Sequence, residues 1–289
     1  MVKAIDVWYN FIPDEEFAKT MGHDEIKAAT KTEHLDRKMP SSNPDPMVER
    51  MDAAGVEITI FAQLQQGHSS RKKIGPAPRL ILYNDWRKLL PYREKYPKRF
   101  RGLYGIDPWT VMDGVKEMEK LIKEYGDFFV GACTHTGGFA PFNDRIWFPF
   151  YAKCVELDIP LITQCGHFAE SMPEGWCHPL MIDDVAELFP ELRIIAGHTG
   201  WPWEEELQGV ILKNPNVYFS MEAYMPKYWN PSMVKFMNSR GADRCMWGTD
   251  WPVTEAKPNL EQVEQLGLKD KVKQMFLRDT AIKVFKLKI

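Results

Sequence analysis

A regular alternation of short apolar runs with helix-length segments limits what this chain can fold into. Residues 2–8, 58–62, 100–106, 128–135, 159–164, 192–196, 217–222 and 244–247 are strand-length runs bounded by turn residues. The segments between them read as helices over 46–54, 79–96, 111–125, 146–157, 180–189, 204–212 and 232–239, with a last one from residue 260 to the C-terminus. In the third of these, Val115, Met118, Leu121 and Ile122 recur at three- and four-residue steps, which marks one buried face. Strand–helix alternation predicts parallel strands joined by crossover helices. About eight such units in a chain of 289 residues predict a closed (β/α)8 TIM barrel, one domain spanning residues 1–289. No glycine-rich phosphate loop follows the first strand, which argues against a dinucleotide-binding sheet. Residues 11–46 are polar and lack strong periodicity. They read as an insertion after strand 1 that distorts the barrel, either an excursion over the active face or a surface insertion.

In a parallel barrel the carboxyl ends of the strands converge on one mouth. Here they carry Trp8 and Asn10, Gln63, Asp107, His135, Gln164, His198, Glu222 and Asp250. His198 follows an apolar run and precedes a helix opened by Pro202 and the acids Glu204 to Glu206. Alone it would read as a core or capping histidine. Asp250 ends a second strand in the same way, so the two are expected to share a pocket. A carboxylate beside an imidazole fixes its tautomer and supports its charged form, giving a general acid or base. Asn10 and Gln164 read as directional partners for a carbonyl or carboxylate, or as caps. Glu222 reads as a second acid or a pocket-wall contact. Trp8, Trp201, Trp203 and Trp251 cluster around the same strand ends and suit packing at the mouth; those facing the pocket would suit a flat ligand. His68 and the Arg-Lys-Lys run at 71–73 are a solvated loop or a carboxylate-binding segment.

A net charge of -3 gives no electrostatic case for nucleic acid. No apolar run approaches the roughly 18 residues that span a bilayer. The first residues lack a basic-then-apolar leader pattern, because Asp6 interrupts them. The five cysteines, odd in number and without paired metal spacing, read as reduced thiols of a cytoplasmic protein.

Four stretches together resemble the amidohydrolase superfamily, in particular the amidohydrolase-related branch that includes aminocarboxymuconate semialdehyde decarboxylase. They are Ile5-Asp-Val-Trp-Tyr-Asn10, Ile162-Thr-Gln-Cys-Gly166, Ala196-Gly-His-Thr-Gly200 and Trp247-Gly-Thr-Asp-Trp-Pro252. The resemblance implies a divalent metal, typically zinc, held at the mouth by an Asp-x-His-x-His first strand, a further histidine on the fifth strand, and the residues at His198 and Asp250. This chain departs from that pattern. Trp8, Asn10 and Gln164 stand at the histidine positions, with His167 three residues beyond Gln164. Indole offers a metal no lone pair and an amide oxygen is a weak ligand. If a metal is bound, His198 and Asp250 are its ligands, and two strong donors fall short of the three or four a zinc site needs. The resemblance further implies a decarboxylase or hydrolase acting on a small cyclic or aromatic carboxylate. His198 and Asp250 would be the catalytic pair, with Trp8, Asn10, Gln164, His167 and Glu222 against the substrate. The alternative is a barrel that has lost its metal and now binds a ligand or a partner. Members of such families pair as dimers, so a homodimer is also expected.

Overall fold

The computed structural model describes residues 2–12, 43–66, 82–137, 139–167 and 174–289. Its strands are β1 (Ala4–Asn10), β2 (Val56–Ala62), β3 (Phe100–Gly105), β4 (Phe129–Thr134), β5 (Leu161–Gln164), β6 (Ile194–Gly197), β7 (Val217–Met221) and β8 (Cys245–Trp247). Each pairs in parallel with its sequence neighbour, so strand order follows chain order around the sheet. Beyond β8 the chain meets β1: Asp250 N–H donates to Trp8 O at 2.9 Å and Asn10 N–H to Trp251 O at 3.2 Å. The Asp6 carboxylate reinforces this seam, accepting from Thr249 N at 3.0 Å and Thr249 Oγ1 at 2.6 Å. The expected (β/α)8 TIM barrel is the fold.

Alternation along each strand sorts side chains into two layers. Ile5, Val7, Ile58, Ile60, Leu103 and Ile162 fill the barrel interior. Their neighbours Ala4, Phe61, Phe100, Phe129, Leu161 and Ile194 pack outward under the helices. Removing one fully buried isoleucine of the inner layer would cost about 2–5 kcal/mol. β1 breaks the alternation. Its partners on β2 run from Asp6↔Thr59 to Tyr9↔Phe61, three steps against two, which is a β-bulge. The extra residue puts Val7 and Trp8 both inside, and sends Tyr9 out to stack on Trp251. The bulge therefore aims the tryptophan at the barrel axis.

The helices α1 (Asp45–Ala54), α2 (Leu90–Lys95), α3 (Val111–Tyr125), α4 (Phe148–Glu156), α5 (Pro179–Leu188), α6 (Glu204–Lys213), α7 (Pro231–Met237) and α8 (Ala256–Val263) cover the sheet. α1 stops at Gly55, whose φ of 80° is the left-handed conformation that favours glycine. Two expectations are corrected. Residues 79–96 are not one helix: Leu82–Tyr83 pair antiparallel with Gln65–Gln66, and the chain turns helical only at Trp86, where the Asp85 side chain caps Arg87 N. The C-terminal segment is not one helix from residue 260 either. α8 begins at Ala256, Gly267 turns the chain at φ 67°, and helix resumes over residues 270–285. Ala281, Val284 and Phe285 of that last segment join the interior cluster and close the barrel's amino end. Residues 13–42 of the expected insertion, His68 and residues 71–73 lie outside the described residues. Among the described residues no helix is long and apolar enough to cross a membrane.

Candidate active site

His198 follows directly on β6, and Asp250 stands three residues past β8. Both have left-handed backbone, φ 61° and 55°, which an L side chain adopts at a cost on the order of 1 kcal/mol. Strain of this kind clusters where surrounding contacts hold a side chain in a functional pose. Here the two side chains face each other, with His198 Nε2 3.4 Å from Asp250 Oδ2. On the other side of the ring Nδ1 stands 3.4 Å from Glu222 Oε1, within ion-pair reach but without an aligned hydrogen bond. The imidazole is thus flanked by two carboxylates. Burial works against its charged form, but Asp250 and Glu222 outweigh that and raise the histidine from 6.5 to about 10. An edge of the ring, 11% of the side chain, remains open.

The partners are themselves held. Glu222 is fully buried one residue past β7, and its Oε1 accepts from His198 N at 2.9 Å and Ser220 Oγ at 2.9 Å. Gly197 makes that approach possible, because a Cβ there would lie 2.5 Å from Glu222 Oε1. Asp250 Oδ1 accepts from Asn10 Nδ2 at 2.7 Å, and Asn10 Oδ1 accepts from Trp8 Nε1 at 2.8 Å. The Trp8 ring stands edge-on to His198, with 5.3 Å between centroids. Of the residues singled out in the sequence, Trp8, Asn10, His198, Glu222 and Asp250 therefore form one cluster.

Gln164 and His167 are engaged with each other instead. Gln164 pairs with Gly197 across β5 and β6, and its Nε2 donates to His167 O at 2.8 Å. The His167 ring meets Trp201 edge-on at 5.3 Å. Two further strand-end residues are structural. Asp107 caps the turn after β3 through Trp109 N, and Gln63 bridges Gly105 N and Asn84 O. Trp203 lies against His178, not in the cluster. Burial pushes the Cys177 thiol up to about 12 and the Cys165 thiol well above its ordinary range, so neither is a thiolate at neutral pH.

Sequence reasoning missed Asp6 and Ser220. Asp6 faces outward at the β1–β8 seam, and burial raises it to about 7 against the pull of its bonds from Thr249 and Trp8. Its place two residues before Trp8 is the one available signal. Ser220, two residues before Glu222, shares a strand face with it, a period-two cue.

The donors do not fit a divalent metal. Trp8 has no lone pair to give, and Asn10 offers only a weak amide oxygen that already accepts from Trp8, which leaves His198 and Asp250 as strong donors beside it. Among the described residues no group of three or more His, Cys, Asp or Glu is arranged to hold a metal ion.

A family model described as "Amidohydrolase" matches residues 5–287. A gamma-resorcylate decarboxylase of Polaromonas sp. is 24% identical over 293 residues, covering 84% of this chain and 87% of that protein. A 2-keto-4-carboxy-3-hexenedioate hydratase of Sphingobium sp. is 29% identical over 123 residues, and that match spans only 36% of each chain. Among solved structures, a 5-carboxyvanillate decarboxylase from Novosphingobium aromaticivorans, complexed with manganese and 4-hydroxy-3-methoxy-5-nitrobenzoic acid, superposes with a TM-score of 0.71. It is 17% identical, with 99% of this chain and 96% of that one covered.

Proposed function

The chain belongs to the amidohydrolase family, and from that membership we propose that it is a lyase that decarboxylates a small planar carboxylate, with His198 as proton donor. The observation that carries this reading is the imidazole held between Asp250 and Glu222. Those carboxylates keep the ring charged at neutral pH. A charged imidazole gives a proton and cannot take one. Hydrolysis would need it to draw a proton from water, whereas loss of carbon dioxide needs a proton delivered to carbon.

In this reading the imidazolium protonates the ring carbon that bears the carboxylate. The bond to the carboxylate then breaks, its electron pair returns to the ring, and carbon dioxide leaves. Solvent restores the proton to His198 while Asp250 holds the ring in place. Nδ1 is buried against Glu222, so the Nε2 side is the one through which the proton is exchanged. A cavity of about 200 Å³ lined by Thr199, Trp201, Glu204, Tyr224, Tyr228 and Trp229 adjoins the turn that carries His198. Neither His198 nor Asp250 lines it, but its aromatic side chains offer a flat group a stacking face beside that turn. Two proteins similar to this chain are named as decarboxylases of aromatic acids, which supports the same reaction class.

The test is a panel of hydroxy- and methoxy-substituted benzoates incubated in heavy water. The reading predicts carbon dioxide release and a deuteron at the vacated carbon, both abolished in His198→Ala. Hydrolysis of esters or lactones without carbon dioxide, or full activity in His198→Ala, would refute it. A ligand-binding barrel is the second reading, favoured by the donors that do not fit a metal. Turnover that Asp250→Asn abolishes would eliminate it.

A further inference from the structure

We infer that the Trp8–Asn10–Asp250 hydrogen-bond chain, closed by His198 and Glu222, stands in place of a divalent cation, so that this barrel mouth takes none. The inference deepens the lyase reading and rests on it for what the cluster is for, though not for its geometry.

Space is the first argument. The β1 bulge turns Trp8 inward, where it is 1% exposed and lies edge-on to His198. Positions 8 and 10 are those at which the family resemblance places two ligating imidazoles. An indole at the first of them fills volume and presents only an N–H, already donated to Asn10.

Orientation is the second. Turning the Asn10 amide over would set its NH2 against the Trp8 N–H, donor against donor, and its oxygen against the Asp250 carboxylate. Both contacts would be repulsive, so the neighbours fix the amide as it stands. Asp250 then keeps one oxygen on Asn10 and turns the other to His198. A metal between Asp250 and His198 would have to displace the ring from the second contact.

The ring is the third. A ligating histidine points a bare lone pair at its cation. Nδ1 of His198 is buried against Glu222 and only Nε2 faces Asp250, so the pair offers a cation two donors, short of the three or four a zinc site needs. Trp8 and Asn10 are thus positioning residues. They act through Asp250, and their test includes measurements that a loss of stability would not reproduce.

The experiment uses the full chain, expressed with zinc and manganese supplied, dialysed without chelator, and analysed for metal by mass spectrometry. Mn²⁺ is then titrated into the protein while the His198 ring signals are followed by NMR. The expected result is far less than one ion per chain, with His198 signals that stay sharp at equimolar Mn²⁺. The Trp8→His/Asn10→His double variant is expected to gain zinc. One zinc or manganese per wild-type chain, lost in Asp250→Asn, overturns the inference, as does selective broadening of His198 by equimolar Mn²⁺. Should the double variant fail to fold, the wild-type measurements decide alone. A metal-bearing wild type that still decarboxylates sinks this inference and leaves the lyase reading standing. A metal-free protein that decarboxylates nothing in the panel does the reverse.

Discussion

Replacing Asp250 by Asn removes one negative charge 3.4 Å from His198 Nε2 and little else. The new amide can keep its oxygen on Asn10 Nδ2, where Asp250 Oδ1 now accepts. Coulomb's law at that distance, with an effective dielectric of about 20, gives roughly 5 kcal/mol. At about 1.36 kcal/mol per pH unit this amounts to about 3.5 units. The wild-type ring, raised to about 10, should therefore titrate near its ordinary 6.5 in the variant, with Glu222 still beside it. The assay is a pH titration of the histidine ring signals by carbon–proton NMR, with the His198 resonance assigned by its loss in His198→Gln. The alkaline limb of the decarboxylation rate should move down with it. A variant ring that titrates at the wild-type midpoint refutes the charge pairing, and with it the reason His198 is a donor.

Other expectations follow from the same contacts. The charged form of His198 stabilises the fold fully below about pH 6.5, and that stabilisation is lost as pH rises toward 10. It is worth on the order of 5 kcal/mol, so urea unfolding of wild type and His198→Gln should converge across that window. Asp6 is also raised, to about 7, so its contribution is present below about 3.8 and lost as pH climbs through 7. Wild type, but not Asp6→Asn, should gain stability as pH falls from 7 toward 4. Gly197→Ala should cost about 1–3 kcal/mol and most activity, because its Cβ would drive Glu222 off His198 N; thermal melts and the carbon dioxide assay check both. Trp8→Phe removes the indole donor to Asn10 and should cost about 1–3 kcal/mol in a urea melt.

Strand ends were the most legible part of the chain. An apolar run that stops at a lone polar side chain, as at His198 and Asp250, announces itself because the buried runs before them, Ile194–Gly197 and Cys245–Trp247, hold no other polar side chain. The lost histidines at positions 8 and 10 were equally plain. Their replacement by a hydrogen-bond chain was not, since a bulge is a register event with no residue signature of its own in Val7-Trp8. Gln164 reads as a site residue from its strand-end position and from standing where the family has a ligating histidine, and His167 from lying three residues beyond it. The contact between them depends on how the loop after β5 folds back. The helix expected over 79–96 failed for a related reason: its apolar spacing also suits the short ribbon at Leu82–Tyr83, and Asp85 decides where helix starts.

Neutron diffraction from crystals grown at neutral pH in heavy water bears most directly on the proton held at the mouth. The account predicts deuterium on both Nδ1 and Nε2 of His198, bare carboxylates at Asp250 and Glu222, and the Asn10 ND2 group directed at Asp250. A ring with one bare nitrogen, or a cation bound jointly by His198 and Asp250, would contradict it.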